Sequence, residues 1–235
     1  MKIIKNKVKD IGFLLVVTVL TISFLAIVPT VHADYITVDF EGIDASGGLV
    51  GGTILDNYLA GYGISISDVT PDTHPKVWDL DASTWKPVIP SSGKNVLHHV
   101  YDYGIYPMEF TLDFSTSLLS FGFTRPTIVD PSGIIIPEWH AYALDAQGVV
   151  IASAGQNIHS IWGTESALNY MFDIPGIASV RFVSSTHGYA GLSGVVLDDF
   201  TFESTPIPEP TTMLLLGSGL IGLAGLRRKM KNRRQ

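Results

Sequence analysis

The stretch MEFTLDF, Met108–Phe114, sets Met108, Phe110, Leu112 and Phe114 against Glu109, Thr111 and Asp113. Apolar residues at every second position give a strand one face for a core and one for water, the mark of a half-buried antiparallel strand. The same period recurs outward along the chain. Ile36, Val38 and Phe40 alternate with Thr37, Asp39 and Glu41; Leu119, Phe121 and Phe123 share one parity, as do Leu168, Tyr170 and Phe172, then Val196, Phe200 and Phe202. Ser46-Gly47-Gly48, Pro90-Ser91-Ser92-Gly93 and Asp130-Pro131-Ser132-Gly133 punctuate the gaps with turn residues. Asp145-Ala146-Gln147-Gly148 has the composition of a hairpin turn between Trp139–Leu144 and Val149–Ser153. No 12-residue window carries a helical period and no repeat is evident, so an all-β, jelly-roll-like antiparallel β-sandwich is expected. Proline-rich residues 68–95 read as a long connection or irregular rim.

Both ends of the 235-residue chain differ from this middle. Four lysines lie in residues 1–10, Ile11–Val28 is apolar, and Val31-His32-Ala33 places small residues at the −3 and −1 positions of a cleavage site. Residues 1–33 are therefore expected to be a signal peptide removed by signal peptidase; a retained N-terminal membrane helix is the alternative. The body, residues 34–205, is long enough for one sizeable core. It holds 20 acidic residues against Lys76, Lys86, Lys94, Arg125 and Arg181, a formal charge of −15. Such a body repels phosphate backbones, so no nucleic-acid partner is expected. The chain has no cysteine, which excludes disulfide scaffolds, Cys-ligated zinc and thiol nucleophiles.

Catalytic patterns are weak. Gly191-Leu192-Ser193-Gly194 is one residue short of a nucleophile elbow and precedes a strand rather than a helix. His98 and His99 are neighbours on a strand and point to opposite faces, which disfavours a shared metal. With 20 acids no glycosidase pair can be nominated, although Glu138 stands beside Trp139. Catalytic residues are therefore expected to be absent. Calcium has a positional logic: Asp39 and Glu41 end the first strand, Asp198 and Asp199 lie in the last, and hard cations want several carboxylate oxygens at once. First and last strands of jelly rolls commonly run side by side, so these four acids are the candidate ligands; ordinary turn and edge acids are the plainer alternative. Asp79-Leu80-Asp81-Ala82-Ser83 imitates the start of an EF-hand loop, but Thr84 and Pro90 occupy the positions of its glycine and glutamate. No cofactor is required, and structural calcium stays open. Among aromatics, Tyr101, Tyr103 and Trp139 are the candidates for stacking on sugar rings, against core packing as the default.

The tail joins Pro208-Glu209-Pro210 to the uncharged segment Thr211–Leu226 and then to Arg227, Arg228, Lys229, Lys231, Arg233 and Arg234. Sixteen uncharged residues fall just short of the ~20 of a spanning helix, and the basic cluster should hold the C-terminus in the cytoplasm. Gly217, Gly219 and Gly222 have dinucleotide-loop spacing, but the chain ends 13 residues later, too soon for a βαβ unit. This tail resembles the PEP-CTERM sorting signal of exported Gram-negative proteins. The resemblance covers residues 206–235 and implies a short membrane helix, recognition by an exosortase near Pro208, Glu209 and Pro210, and Arg227, Arg228 and Lys229 as the membrane stop. It also implies surface, biofilm or exopolysaccharide association.

The body resembles, more loosely, β-sandwich ectodomains of such proteins in Val38-Asp39-Phe40-Glu41, His140–Gly148 and Leu197-Asp198-Asp199-Phe200-Thr201-Phe202. Together these readings describe a non-catalytic exported surface protein, passing through the inner membrane, that binds carbohydrate or extracellular polysaccharide. A polysaccharide-active enzyme or a purely structural matrix protein are the competing classes. Intact-mass measurement of surface-extracted protein is expected to show loss of residues 1–33 and a new C-terminus near Pro208; an uncut tail contradicts the sorting reading.

Overall fold

Strand β7, Met108–Arg125, runs for 18 residues, about three times the usual ~5–6, and belongs to two layers at once. Its first half pairs antiparallel with β13 (Ile177–Ser184) on one side and β3 (Ile64–Thr70) on the other. Its second half pairs with β12 (Leu168–Phe172) and β14 (Val195–Ser204). In the computed structural model the described residues are 35–70, 74–82, 88–99, 108–130, 139–156, 163–184 and 195–205, with Gly217, Gly219, Leu220 and Leu223 in the tail. All lie in the unit Ala33–Gln235. The expected signal peptide, Tyr101, Tyr103, Glu138, Ser193, Pro208, Glu209, Pro210, Arg227, Arg228 and Lys229 fall outside them.

The first layer reads β10 (Val150–Gln156), β9 (Trp139–Leu144), β13, β7, β3. The second reads β12, β7, β14, with β1 (Tyr35–Val38) on the far side of β14. The start of β14 pairs instead with β6 (Asn95–His99), which continues to β4 (Lys76–Asp79) and β2 (Leu49–Gly51). Short strands β11 (Gly163–Glu165), β8 (Thr127–Asp130) and β5 (Val88–Ile89) form a separate three-stranded sheet. All pairs among the described residues are antiparallel, as alternation predicts.

Phe123, on the second half of β7, meets Phe182 of β13 edge-on at 5.1 Å and Trp139 of β9 at 5.7 Å. The two layers thus face each other across a phenylalanine-rich core that also holds Phe110, Phe121, Phe200 and Phe202. Edge-to-face and offset rings suit the aromatic quadrupole, so each pair adds to the burial of apolar area. The result is the antiparallel β-sandwich expected from the sequence, and Asp145–Gly148 is indeed its β9–β10 hairpin, closed by the Gly148 amide donating to Asp145 O at 2.9 Å.

Four local expectations change. Helix α1, Thr53–Ala60, buries Leu55 and Leu59 one turn apart; at eight residues it is too short to show in a 12-residue window. Residues 68–95 are not merely a rim, since β4, β5 and the start of β6 lie there. Leu118, rather than Leu119, enters the core where β7 passes from one layer to the other. Val196 does not share a face with Phe200 and Phe202: it joins Trp78, Leu80, Val88 and Val96 in a second cluster, while Val195 and Leu197 join the main core. The parity flips at a bulge between Asp198 and Thr201, where Asp199 adopts φ +46°, because one extra residue exchanges the faces of a period-two strand.

Candidate functional site

The burial of Ala141, Ala143, Val180, Phe182, Phe110, Leu112 and Ile64 fixes the inward parity of β9, β13, β7 and β3. Their alternate neighbours therefore form the outer face of the first layer. Register places Arg181 opposite both Tyr142 and Thr111, and Thr111 opposite Ser67. Tyr142, Arg181, Thr111 and Ser67 thus form one row across four strands, flanked by a second row of His140, Val183 and Glu109.

The row is held from within. The Arg181 guanidinium carbon lies 5.3 Å from the centre of the Tyr142 ring, a cation–π distance. Its Nη1 is 3.8 Å from Glu109 Oε1, a loose pair in which both side chains stay about one-third exposed. His140 stacks on Tyr142 with centroids 5.9 Å apart and planes at 23°. Gly155 of β10 lies opposite His140, and a Cβ there would come within 2.4 Å of His140 Nδ1; only glycine leaves the imidazole room to lie across β10. Ser67 Oγ donates to Asp113 Oδ2. Thr111 Oγ1 and Arg181 Nε are buried and find no hydrogen-bond partner among the described residues. Buried polar atoms are ordinarily paired, each orphan costing about 1–3 kcal/mol. The face therefore offers an aromatic platform, exposed charges of both signs and two unmet polar atoms.

The four acids nominated for calcium are brought to one junction, where β14 changes partner from β6 to β1 and where β1 ends. Asp198 Oδ2 accepts from the Ser91 amide at 2.8 Å, Ser91 Oγ at 2.7 Å and the Ser92 amide at 3.3 Å. Asp199 accepts from Ser92 Oγ at 2.5 Å, and Ser91 Oγ, whose single hydrogen the two aspartates share, lies 2.7 Å from it. Glu41 Oε1 accepts from the Lys94 and Asn95 amides at 2.9 and 2.7 Å. A Cβ on Gly93 would collide with the Glu41 carboxylate at 2.2 Å. Asp39 accepts only the Glu41 amide, closing a local turn. Asp198, Asp199 and Glu41 clasp the 91–95 loop, and among the described residues no group of three acidic or histidine side chains is placed to hold a metal ion. Burial, with Asp199 beside it, pushes the Asp198 carboxyl up to about 6 despite the serine hydrogen bonds. The imitation EF-hand is likewise a turn: Asp79 accepts from the Asp81 and Ala82 amides and pairs with Lys94 at 2.7 Å. That Lys94 hydrogen bond holds the Asp79 carboxyl below the usual carboxylate range.

Trp139 is not a surface platform. It is 3% exposed, faces Phe123 and Tyr170, and donates Nε1–H to Gln156 Oε1 at 2.9 Å. Tyr142 and Arg181 were not nominated from sequence. Their signal was available: Arg181 is one of five basic residues in the body and sits at an outward position of the alternating run Val180–Val183.

Residues 206–229 match the PEP-CTERM protein-sorting motif. In that segment Gly217, Gly219, Leu220 and Leu223 are helical, and among the described residues no helix is long and apolar enough to cross a membrane. No curated protein matches the chain significantly. Among solved structures, the K1 cleaved adhesin domain of Lys-gingipain from Porphyromonas gingivalis W83 is 12% identical, with 74% of this chain and 99% of that one covered at a TM-score of 0.41. The K2 adhesin domain of Lys-gingipain is 15% identical over 72% and 99%, at 0.43. The CBM22-1 xylan-binding domain of Paenibacillus barcinonensis Xyn10C is 12% identical over 75% and 97%, at 0.32. At these scores the likeness bears on neither ligand nor activity.

The Asp198 carboxyl titrates higher in the folded chain than its ordinary 3.8, so its contribution to stability is complete below pH ~4, falls as pH rises to about 6, and is flat above. Asp198→Asn abolishes that titration. The wild-type-minus-variant stability difference in urea unfolding is expected to fall by at most about 3 kcal/mol between pH 4 and 7; a difference independent of pH contradicts the assignment.

Proposed function

We propose that the protein is a non-catalytic surface protein that binds extracellular polysaccharide through the outer face of its first sheet, after export and exosortase processing at the PEP-CTERM signal. The observation that carries this reading is the row Tyr142–Arg181–Thr111–Ser67. A sugar ring presents an apolar C–H face that stacks on an aromatic side chain, and hydroxyls that pair with neighbouring charged and polar groups; the row supplies both types of contact on one rigid surface. The match to the PEP-CTERM sorting motif supports an exported location, where such a face would meet extracellular polymers. The enzyme alternative gains less support: Glu109 and Asp113 stand on one strand and one face, not across a cleft from each other as glycoside hydrolysis requires. Calcium is not needed for the proposed face, which contains none of Asp39, Glu41, Asp198 or Asp199.

Affinity electrophoresis of the exported protein in gels containing the producing cell's exopolysaccharide tests the reading. Tyr142→Ala and Arg181→Ala are each expected to weaken retardation about tenfold, the size of one stacking or cation–π contact. Met171→Ala, at an exposed site on the opposite sheet, should leave it unchanged. Equal retardation of all variants contradicts the assignment of the face.

A further inference from the structure

Resting on that reading, we infer that the face takes an uncharged glycan laid across the strands, with Thr111 and Arg181 as its central hydroxyl subsite. Three observations carry this.

The first is charge. Among the described residues the face sets one guanidinium, Arg181, beside two carboxylates, Glu109 and Asp113, and Arg181 is already partnered in part by Glu109 and Tyr142. Behind it stands a body of formal charge −15. A polyuronate or sulfated polymer approaching this surface meets net repulsion, whereas an uncharged sugar meets none and finds the carboxylates ready to accept its hydroxyl hydrogens.

The second is the pair of unmet atoms. Thr111 and Arg181 are register partners on adjacent strands, and Thr111 is 5% exposed. Arg181 Nε carries one hydrogen to give, and Thr111 Oγ1 can both give and accept. Both atoms are closed to water in the unliganded chain, so the subsite opens when the Arg181 side chain, 38% exposed, shifts. A donor on one strand and a donor–acceptor on the next then match a hydroxyl group, which accepts from the first and exchanges with the second. A carboxylate could use only their donors, and would leave the acceptor capacity of Oγ1 unmet.

The third is dimension. Tyr142 to Ser67 spans four strands, hence three interstrand spacings of ~4.8 Å, or about 14 Å. That is the length of a short oligosaccharide of a few rings, with the Tyr142 ring under one end and the Ser67–Asp113 pair at the other.

Isothermal titration of the exported protein with neutral hexose oligosaccharides and with oligogalacturonate, each at low and high salt, separates the outcomes. Binding of a neutral oligosaccharide with affinity unchanged by salt, and no binding of oligogalacturonate, supports the inference. Tighter binding of oligogalacturonate that weakens as salt rises overturns the inference and leaves the polysaccharide reading standing. Absence of binding to both overturns the two together. Thr111→Val keeps side-chain shape and removes the orphan hydroxyl. It is expected to lower neutral-glycan affinity about three- to tenfold while leaving the melting temperature unchanged or raised; unchanged affinity removes Thr111 from the subsite.

Discussion

Everything in this fold hangs on β7 being one strand rather than two. Hydrogen bonds on both edges of its first half build the layer with β13, β9, β10 and β3, and those of its second half build the layer with β12 and β14. Because the backbone between is continuous, the two layers cannot slide independently. The register of β13 against β7, Arg181 opposite Thr111, is therefore also the register that stacks Phe182 on Phe110 and sets Phe123 edge-on to Phe182. A slip of one residue would turn the phenylalanines outward and bury Glu109, Arg181 and Asp113 without water, an arrangement that desolvation forbids. Core and outer face are two sides of one register.

A second constraint lies at the Asp198–Asp199 bulge. There β14 leaves β6 and takes β1, and the bulge reverses side-chain parity. The two aspartates fold back on Ser91 and Ser92, Glu41 covers Gly93, and Asn95 donates from Nδ2 to the Phe40 and Ile43 carbonyls at 3.0 Å each. Asp198, Asp199 and Glu41, candidates from sequence for calcium, accept here from amides and hydroxyls of a tight loop. The arrangement ties the small β6–β4–β2 extension to the main sandwich.

Much of this was legible from residue order. Period two identified β1, β7, β12 and β14 and the inward phenylalanines, because a half-buried strand must alternate. The pairing of the first and last strands of the body followed from jelly-roll logic, and the sorting motif from its own residues. What escaped were features decided by register between distant strands. Trp139 stood next to Glu138 and looked like a sugar platform, but its parity is that of Ala141 and Ala143, which places it in the core. Tyr142, of the other parity, became a surface residue, and its partner Arg181 lies 39 positions away, joined to it only by the β9–β13 ladder. The flip at Val196 needed a bulge that composition does not announce, and α1 was two turns where a periodic signal needs three or more.

The proposed role rests on a sheet face that bears a stacked ring, a partnered guanidinium and unmet buried polar atoms, in a chain whose tail matches the PEP-CTERM protein-sorting motif. The most direct measurement of that account is a crystal structure of the exported protein with a bound neutral hexose oligosaccharide. The account predicts a sugar ring against Tyr142 and a hydroxyl within hydrogen-bond distance of both Thr111 Oγ1 and Arg181 Nε. An oligosaccharide bound elsewhere on the molecule, with this face bare, would contradict it.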